Sequence, residues 1–198
     1  MLETATRSQP LTSPPWPEQG QWAFRDWERL PDDGYRYELI NGELVRSPPP
    51  AVAHQDASEN LSWAMSSHVR KHKLGKIFLA PIGVRIPPRR EPVQPDIIFI
   101  STKHLGIVGE KYIEGAPDLI VEIVSPSNWN VDRQDKFAAY ARAGVKEYWI
   151  VDYRAKTIEV FLLEKSEYVL QGKFSKSQAV RASQMKGFAI KVDEVFAR

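Results

Sequence analysis

Read for its apolar and polar positions, the chain alternates between runs of period two and runs spaced by three and four. Tyr35 to Val45 holds two strand-like runs around Asn41-Gly42. This pattern predicts a hairpin with a type I′ turn, because both central residues must take positive φ. Before it, Trp22-Ala23-Phe24 leads into a short helix expected over Arg25 to Leu30, ended by Pro31. From His54 to Leu74, small or apolar residues fall at Ala57, Leu61, Ala64, Met65 and Val69. That spacing marks one face of a long helix, with Gly75 as its expected stop. Lys76 to Pro87 reads as one strand with a bend at Gly83, and Gln94 to Ile100 as the next. Leu119 to Val124 is an almost unbroken apolar run, the mark of a strand covered on both faces.

Asp132 to Ala143 then reads as a helix with apolar residues at Phe137, Tyr140 and Ala141, stopped by Gly144. Lys146 to Val151 and Thr157 to Leu163 read as paired strands, Tyr168 to Leu170 as a short addition, and Asp193 to Phe196 as a final turn. The order predicts an α/β domain, a mixed β-sheet flanked by helices. Residues 1–21, with prolines at 10, 14, 15 and 17, are expected to be a disordered lead-in, and residues 22–198 a single domain.

Composition adds mainly exclusions. A chain of 198 residues, 42% hydrophobic and 26% charged, has the balance of a soluble globular protein. No apolar run approaches a membrane span, and no basic-then-apolar segment marks the N-terminus for secretion. Zero cysteines remove disulfides, thiolate metal sites and thiol nucleophiles, which fits a cytoplasmic protein. A net charge of +2 is too small to announce a nucleic-acid binder by itself.

Chemistry enters where a charge interrupts an apolar pattern. Glu122 sits inside the Leu119–Val124 run, and there a carboxylate must be protonated, paired with Lys or Arg, or bound to a metal. Asp96, after Pro95, opens the apolar run Ile97–Ile100, and Lys136 lies early in a helix that must pack on the sheet. On adjacent strands and one face, the two carboxylates could share a hard divalent cation such as Mg²⁺. Such a cation activates water and offsets charge on phosphate, with the lysine beside that water.

Pro95-Asp96, Glu122 within VEIVSPS, and DRQDKFAAYARAGVKEYWIVD together resemble the Uma-type putative restriction endonuclease family of the PD-(D/E)XK nuclease superfamily. YELINGEL and His54 belong to the same pattern. The resemblance implies a restriction-endonuclease-like fold and a metal-dependent endonuclease cutting DNA, with RNA not excluded. It implies Asp96 and Glu122 as ligands of Mg²⁺ (or Mn²⁺), Lys136 and Glu38 as further catalytic residues, and a homodimer; read from its position alone, Glu38 could equally be an exposed strand glutamate next to the hairpin. The chain departs from the pattern at Val124, where the superfamily has its lysine, which is why that role passes to Lys136.

Other features carry blander alternatives. His54 could bind metal or phosphate. His68, Arg70, Lys71, His72, Lys73 and Lys76, with Arg85, Arg89 and Arg90, could follow a nucleic-acid backbone or be a solvated face. Trp129 could stack on a base or cap the core. No nucleophile elbow, P-loop, dinucleotide turn or H-E-x-x-H pair is present. Two rival readings remain beside the nuclease: a catalytically silent nucleic-acid-binding module, and a self-associating scaffold.

Overall fold

The computed structural model describes residues 16–124 and 131–197. Ser125-Pro126-Ser127 and Trp129 therefore lie outside the described residues, as does most of the expected lead-in. The described part of that lead-in is not loose. Trp16 stacks on Trp22 at 5.4 Å, and Gln19 both donates to Leu44 O and accepts from Leu44 N.

The helix expected over 25–30 is the single turn α1 (Phe24–Trp27). β1 (Arg36–Ile40) and β2 (Glu43–Ser47) form the predicted hairpin, with Asn41 at φ 56° and Gly42 at φ 77°. The carboxylate of Glu91 accepts both turn N–H groups, from Asn41 at 2.9 Å and Gly42 at 2.7 Å. α2 (Val52–His72) is the long helix, and it buries Ala57, Leu61, Met65 and Val69 as its spacing requires.

Its stop differs from expectation. Lys73, at φ 54°, takes the left-handed cap, and Gly75 instead opens β3 (Gly75–Leu79). A Cβ on Gly75 would lie 2.0 Å from Ile100 O, so the glycine serves a close backbone approach between strands.

The single strand expected over 76–87 is two. β3 joins the main sheet, while β4 (Val84–Ile86) pairs with β5 (Glu91–Val93) in a separate hairpin. Pro81, lacking an N–H to donate, interrupts a run whose hydrophobicity is continuous. β7 (Leu119–Val124) has the expected bounds, whereas β6 (Ile97–Ser101) begins three residues later than the run expected from Gln94. α3 (Phe137–Ala143) follows a π-helical turn at Val131–Lys136, and β8 (Glu147–Asp152) and β9 (Thr157–Glu164) follow it. β10 (Glu167–Ser175) is three times the expected length. β11 (Ala179–Arg181) and β12 (Ala189–Lys191) pair beside the final turn α4 (Val192–Val195).

The main sheet has the order β10-β9-β8-β7-β6-β3, with β7 and β8 parallel and every other pair antiparallel. The parallel pair needs a crossover, which the segment carrying α3 supplies. Odd-numbered residues of β7 (Leu119, Val121, Ile123) face α2 and the C-terminal elements, whereas Ile120 and Val124 face α3 and the β4–β5 hairpin. A third cluster, of Trp22, Tyr37, Leu39 and Leu44, lies under the β1–β2 hairpin. No helix among the described residues is long and apolar enough to cross a membrane.

Candidate active site

Strand alternation decides which charges meet. β6 and β7 pair antiparallel with Ile97 opposite Val121, and one further step sets Asp96 across from Glu122. Asp96 shares its face with Ile98 and Ile100, and Glu122 shares its face with Ile120 and Val124, all of one core cluster. The two carboxylates therefore project to the same side of the sheet. On β1, Tyr37 and Leu39 turn into the aromatic cluster. The alternate residues Arg36, Glu38 and Ile40 turn toward the main sheet.

Lys136 arrives from the start of α3, entirely inside the protein at 3% exposure. Its Nζ lies 2.8 Å from Glu38 Oε2 and 3.1 Å from Glu122 Oε1. Tyr140, one helical turn on, donates its hydroxyl to the same Glu122 oxygen at 2.6 Å. Val124 is two residues beyond Glu122 on the same face of β7, so a strand lysine there would reach the same place. Here the cation comes from the helix instead.

Asp96 is held by four donors. Its Oδ1 accepts from Arg36 Nη1 at 2.9 Å and Nη2 at 3.0 Å, and Oδ2 accepts from the Ile123 N–H at 2.8 Å. His54 Nε2 lies 3.3 Å from Oδ2. Burial pushes this carboxyl up, but the hydrogen bond from His54 and the charge of Arg36 more than reverse it and hold it at about 2. Burial pulls the Arg36 guanidinium down, and Asp96, Glu38 and Glu122 outweigh burial and raise it. Tyr140 is pushed well up by burial first and by Glu122 and Glu38 next, so its hydroxyl stays a donor.

All four residues singled out from the sequence, Glu38, Asp96, Glu122 and Lys136, thus come together, and His54 joins them. Arg36 and the Tyr140 hydroxyl were not foreseen. Arg36 carried a readable signal, since it stands two residues before Glu38 on one strand and must share its face.

The other Pro-Asp aspartate, Asp118, lies four residues before Glu122 on the same strand line, roughly 13 Å away. It is buried by different donors: Ser101 N, His104 Nδ1 and Lys146 Nζ. The basic cluster is distant too. His68 and His72 lie 14 and 18 residues beyond His54 on α2, roughly 21–27 Å along its axis. The expectation that Arg85, Arg89 and Arg90 extend that cluster is altered by their partners. Arg85 and Arg90 share Glu114, and Arg89 pairs with Glu91, so all three are engaged by carboxylates of the protein.

A cleft of about 580 Å³ opens beside the site, lined by Arg36, His54, Gln55, Ser58, Gln94 and Asp96 among others, with Pro48–Pro50 on its rim. No cluster of three His, Cys, Asp or Glu with metal-binding geometry occurs among the described residues. The donor set nonetheless suits a hard cation. Glu38, Asp96 and Glu122 bring three carboxylates together around Arg36 and Lys136. Gln94 Oε1 and His54 Nδ1 are buried without hydrogen-bond partners in the same cleft. Carboxylate and amide oxygens are the ligands that Mg²⁺ and Mn²⁺ take.

Residues 24–193 match the family Uma2, described as "Putative restriction endonuclease". The chain belongs to this family. The Uma2 match takes in Arg36, Glu38, His54, Asp96, Glu122, Lys136 and Tyr140. Among solved structures, the chain resembles a crystal structure of a putative nuclease belonging to DUF820 from Anabaena variabilis ATCC 29413. The TM-score is 0.73 over 88% of this chain and 97% of that one, at 18% identity, which speaks to the fold. The mixed sheet flanked by helices is thus a nuclease-like α/β fold. No curated protein matches the sequence.

Proposed function

We propose that this Uma2 protein is a divalent-metal-dependent endonuclease that hydrolyses phosphodiester bonds of DNA. The observation that carries the reading is the placement of Asp96 and Glu122 in register on neighbouring strands, buried on one face, with Lys136 against Glu122. A structural role alone gives no reason to bury three carboxylates in one place, since ion pairs so deep gain little over apolar packing.

In this reading Asp96 and Glu122 hold the cation, Mg²⁺ or Mn²⁺. When bound, the cation supplies an acidified water and screens charge on the phosphate. Lys136 stands beside Glu122 to orient the attacking water and to stabilise negative charge as it develops. Glu38 holds the lysine from its other side, and the Gln94 N–H fixes Glu38 through Oε1 at 2.7 Å. Tyr140 fixes the rotamer of Glu122. His54 and the Ile123 N–H orient Asp96. Cutting both strands of a duplex calls for two such sites, so a homodimer is the expected assembly.

The test is cleavage of supercoiled plasmid and of a labelled single strand in Mg²⁺ or Mn²⁺, against EDTA. Metal-dependent nicking is the expected result. Binding that persists in EDTA with no cleavage under either metal would instead favour the silent binding module.

A further inference from the structure

Arg36 makes a lopsided ion pair. Both of its Nη atoms reach Asp96 Oδ1, while Oδ2 belongs to the Ile123 N–H and His54. Oδ1 is therefore the oxygen that no part of the backbone claims, and a guanidinium covers it. The two partners differ in freedom. The Arg36 side chain is 22% exposed and lines the cleft, whereas that of Asp96 is 4% exposed. Lys136, at 3%, has no comparable route outward.

Arg36 also has donors to spare. Its hydrogen bonds use three N–H groups, two to Asp96 and one from Nη1 to Gln94 O at 3.2 Å. A guanidinium has five, in a planar fork that matches phosphate oxygens.

Resting on the metal-dependent nuclease reading, we propose that Arg36 is a substrate-phosphate ligand that changes partner. It neutralises Asp96 before the cation binds, and moves onto a backbone phosphate of the nucleic acid in the adjoining cleft when the cation takes Oδ1. A guanidinium and a divalent cation on one carboxylate oxygen repel each other, so the cation's arrival drives the arginine outward. The cleft offers Gln55, Ser58 and His54 as further polar groups, and a phosphodiester is the anion that enters it. Cation and substrate then bind cooperatively, and by linkage each raises the affinity for the other.

Removing Arg36 removes the competitor, so Mn²⁺ binding by Arg36→Gln, followed by electron paramagnetic resonance, should be tighter than wild type by roughly tenfold, a typical size for such coupling. The same variant should bind a fluorescein-labelled phosphorothioate hairpin more weakly, and Ca²⁺ should no longer tighten that binding as it does in wild type. Arg36→Lys keeps the charge but not the two-point hold, and should also gain Mn²⁺ affinity. It serves as the second test if the glutamine variant fails to fold by circular dichroism.

Wild type that binds Mn²⁺ while both variants bind it equally or more weakly overturns the partner exchange and leaves the nuclease reading standing. No Mn²⁺ binding by any of the three proteins overturns both.

Discussion

Lys136→Met isolates the electrostatics at the centre of the site. Lys136 lies between Glu38 Oε2 and Glu122 Oε1, at 2.8 and 3.1 Å, and all three side chains are 3% exposed. Methionine keeps most of the volume and removes the charge, leaving two buried carboxylates facing one another without the cation they share. Breaking a buried ion pair from one side costs about 3–5 kcal/mol, because the surviving charge has lost both water and partner. Two carboxylates survive here, but Tyr140 still donates to Glu122 and the Gln94 N–H to Glu38, which keeps the loss inside that range. For a domain of this size it corresponds to a fall in Tm of roughly 6–20 °C. The assay is urea unfolding of metal-free protein followed by circular dichroism. Adding Glu38→Gln to Lys136→Met should return part of the loss, because one of the two carboxylates that shared the lysine is then neutral. A single mutant within about 1 kcal/mol of wild type would refute the reasoning, since no buried pair of this kind is so cheap to break.

Three further outcomes follow from the same geometry. The Asp96 carboxyl is depressed in the folded state to about 2 from 3.8, so it contributes stability that is complete above about pH 4 and lost as pH falls toward 2. Asp96→Asn should remove about 2–3 kcal/mol at neutral pH and flatten the acid limb of the stability profile, measured by unfolding from pH 2 to 7. Tyr140→Phe deletes one short hydrogen bond to a charged acceptor while keeping the ring against Tyr148, and should cost about 1.5–3 kcal/mol in the same unfolding assay. Chelation with EDTA should stop plasmid nicking and added Mg²⁺ should restore it, because carboxylates alone hold this ion weakly.

What could be read from the sequence was what burial makes conspicuous. Glu122 stands among five apolar residues and Asp96 at the head of four, so each announced itself as a charge that must be answered. Lys136 and Tyr140 are four apart on one helix, yet only the lysine was singled out. A tyrosine on an apolar face looks like core, and its hydroxyl acquires meaning only when Glu122 is seen beneath it. Arg36 was missed because its run, Tyr35-Arg36-Tyr37-Glu38, has the ordinary alternation of a half-exposed hairpin. The polar side of that alternation turns out to face the main sheet. The break between β3 and β4 was hidden by hydrophobicity that continues through Pro81. β11 and β12, three residues each, are too short to show a period. The pairing of Arg85 and Arg90 with Glu114 joins residues 24 or more apart, a match that no local pattern contains.

The central claim is that Asp96 and Glu122 form a cation-dependent hydrolytic centre. Glu122→Gln tests it most directly, because the change keeps shape and hydrogen-bonding capacity and removes one negative charge from the oxygen pair. Supercoiled plasmid would be incubated with wild type and variant in Mn²⁺ or Mg²⁺, after circular dichroism has shown both to be folded. The account predicts nicking by wild type and loss of at least a hundredfold in the variant, on the order of one removed electrostatic contact in a transition state. Undiminished nicking by folded Glu122→Gln would contradict it.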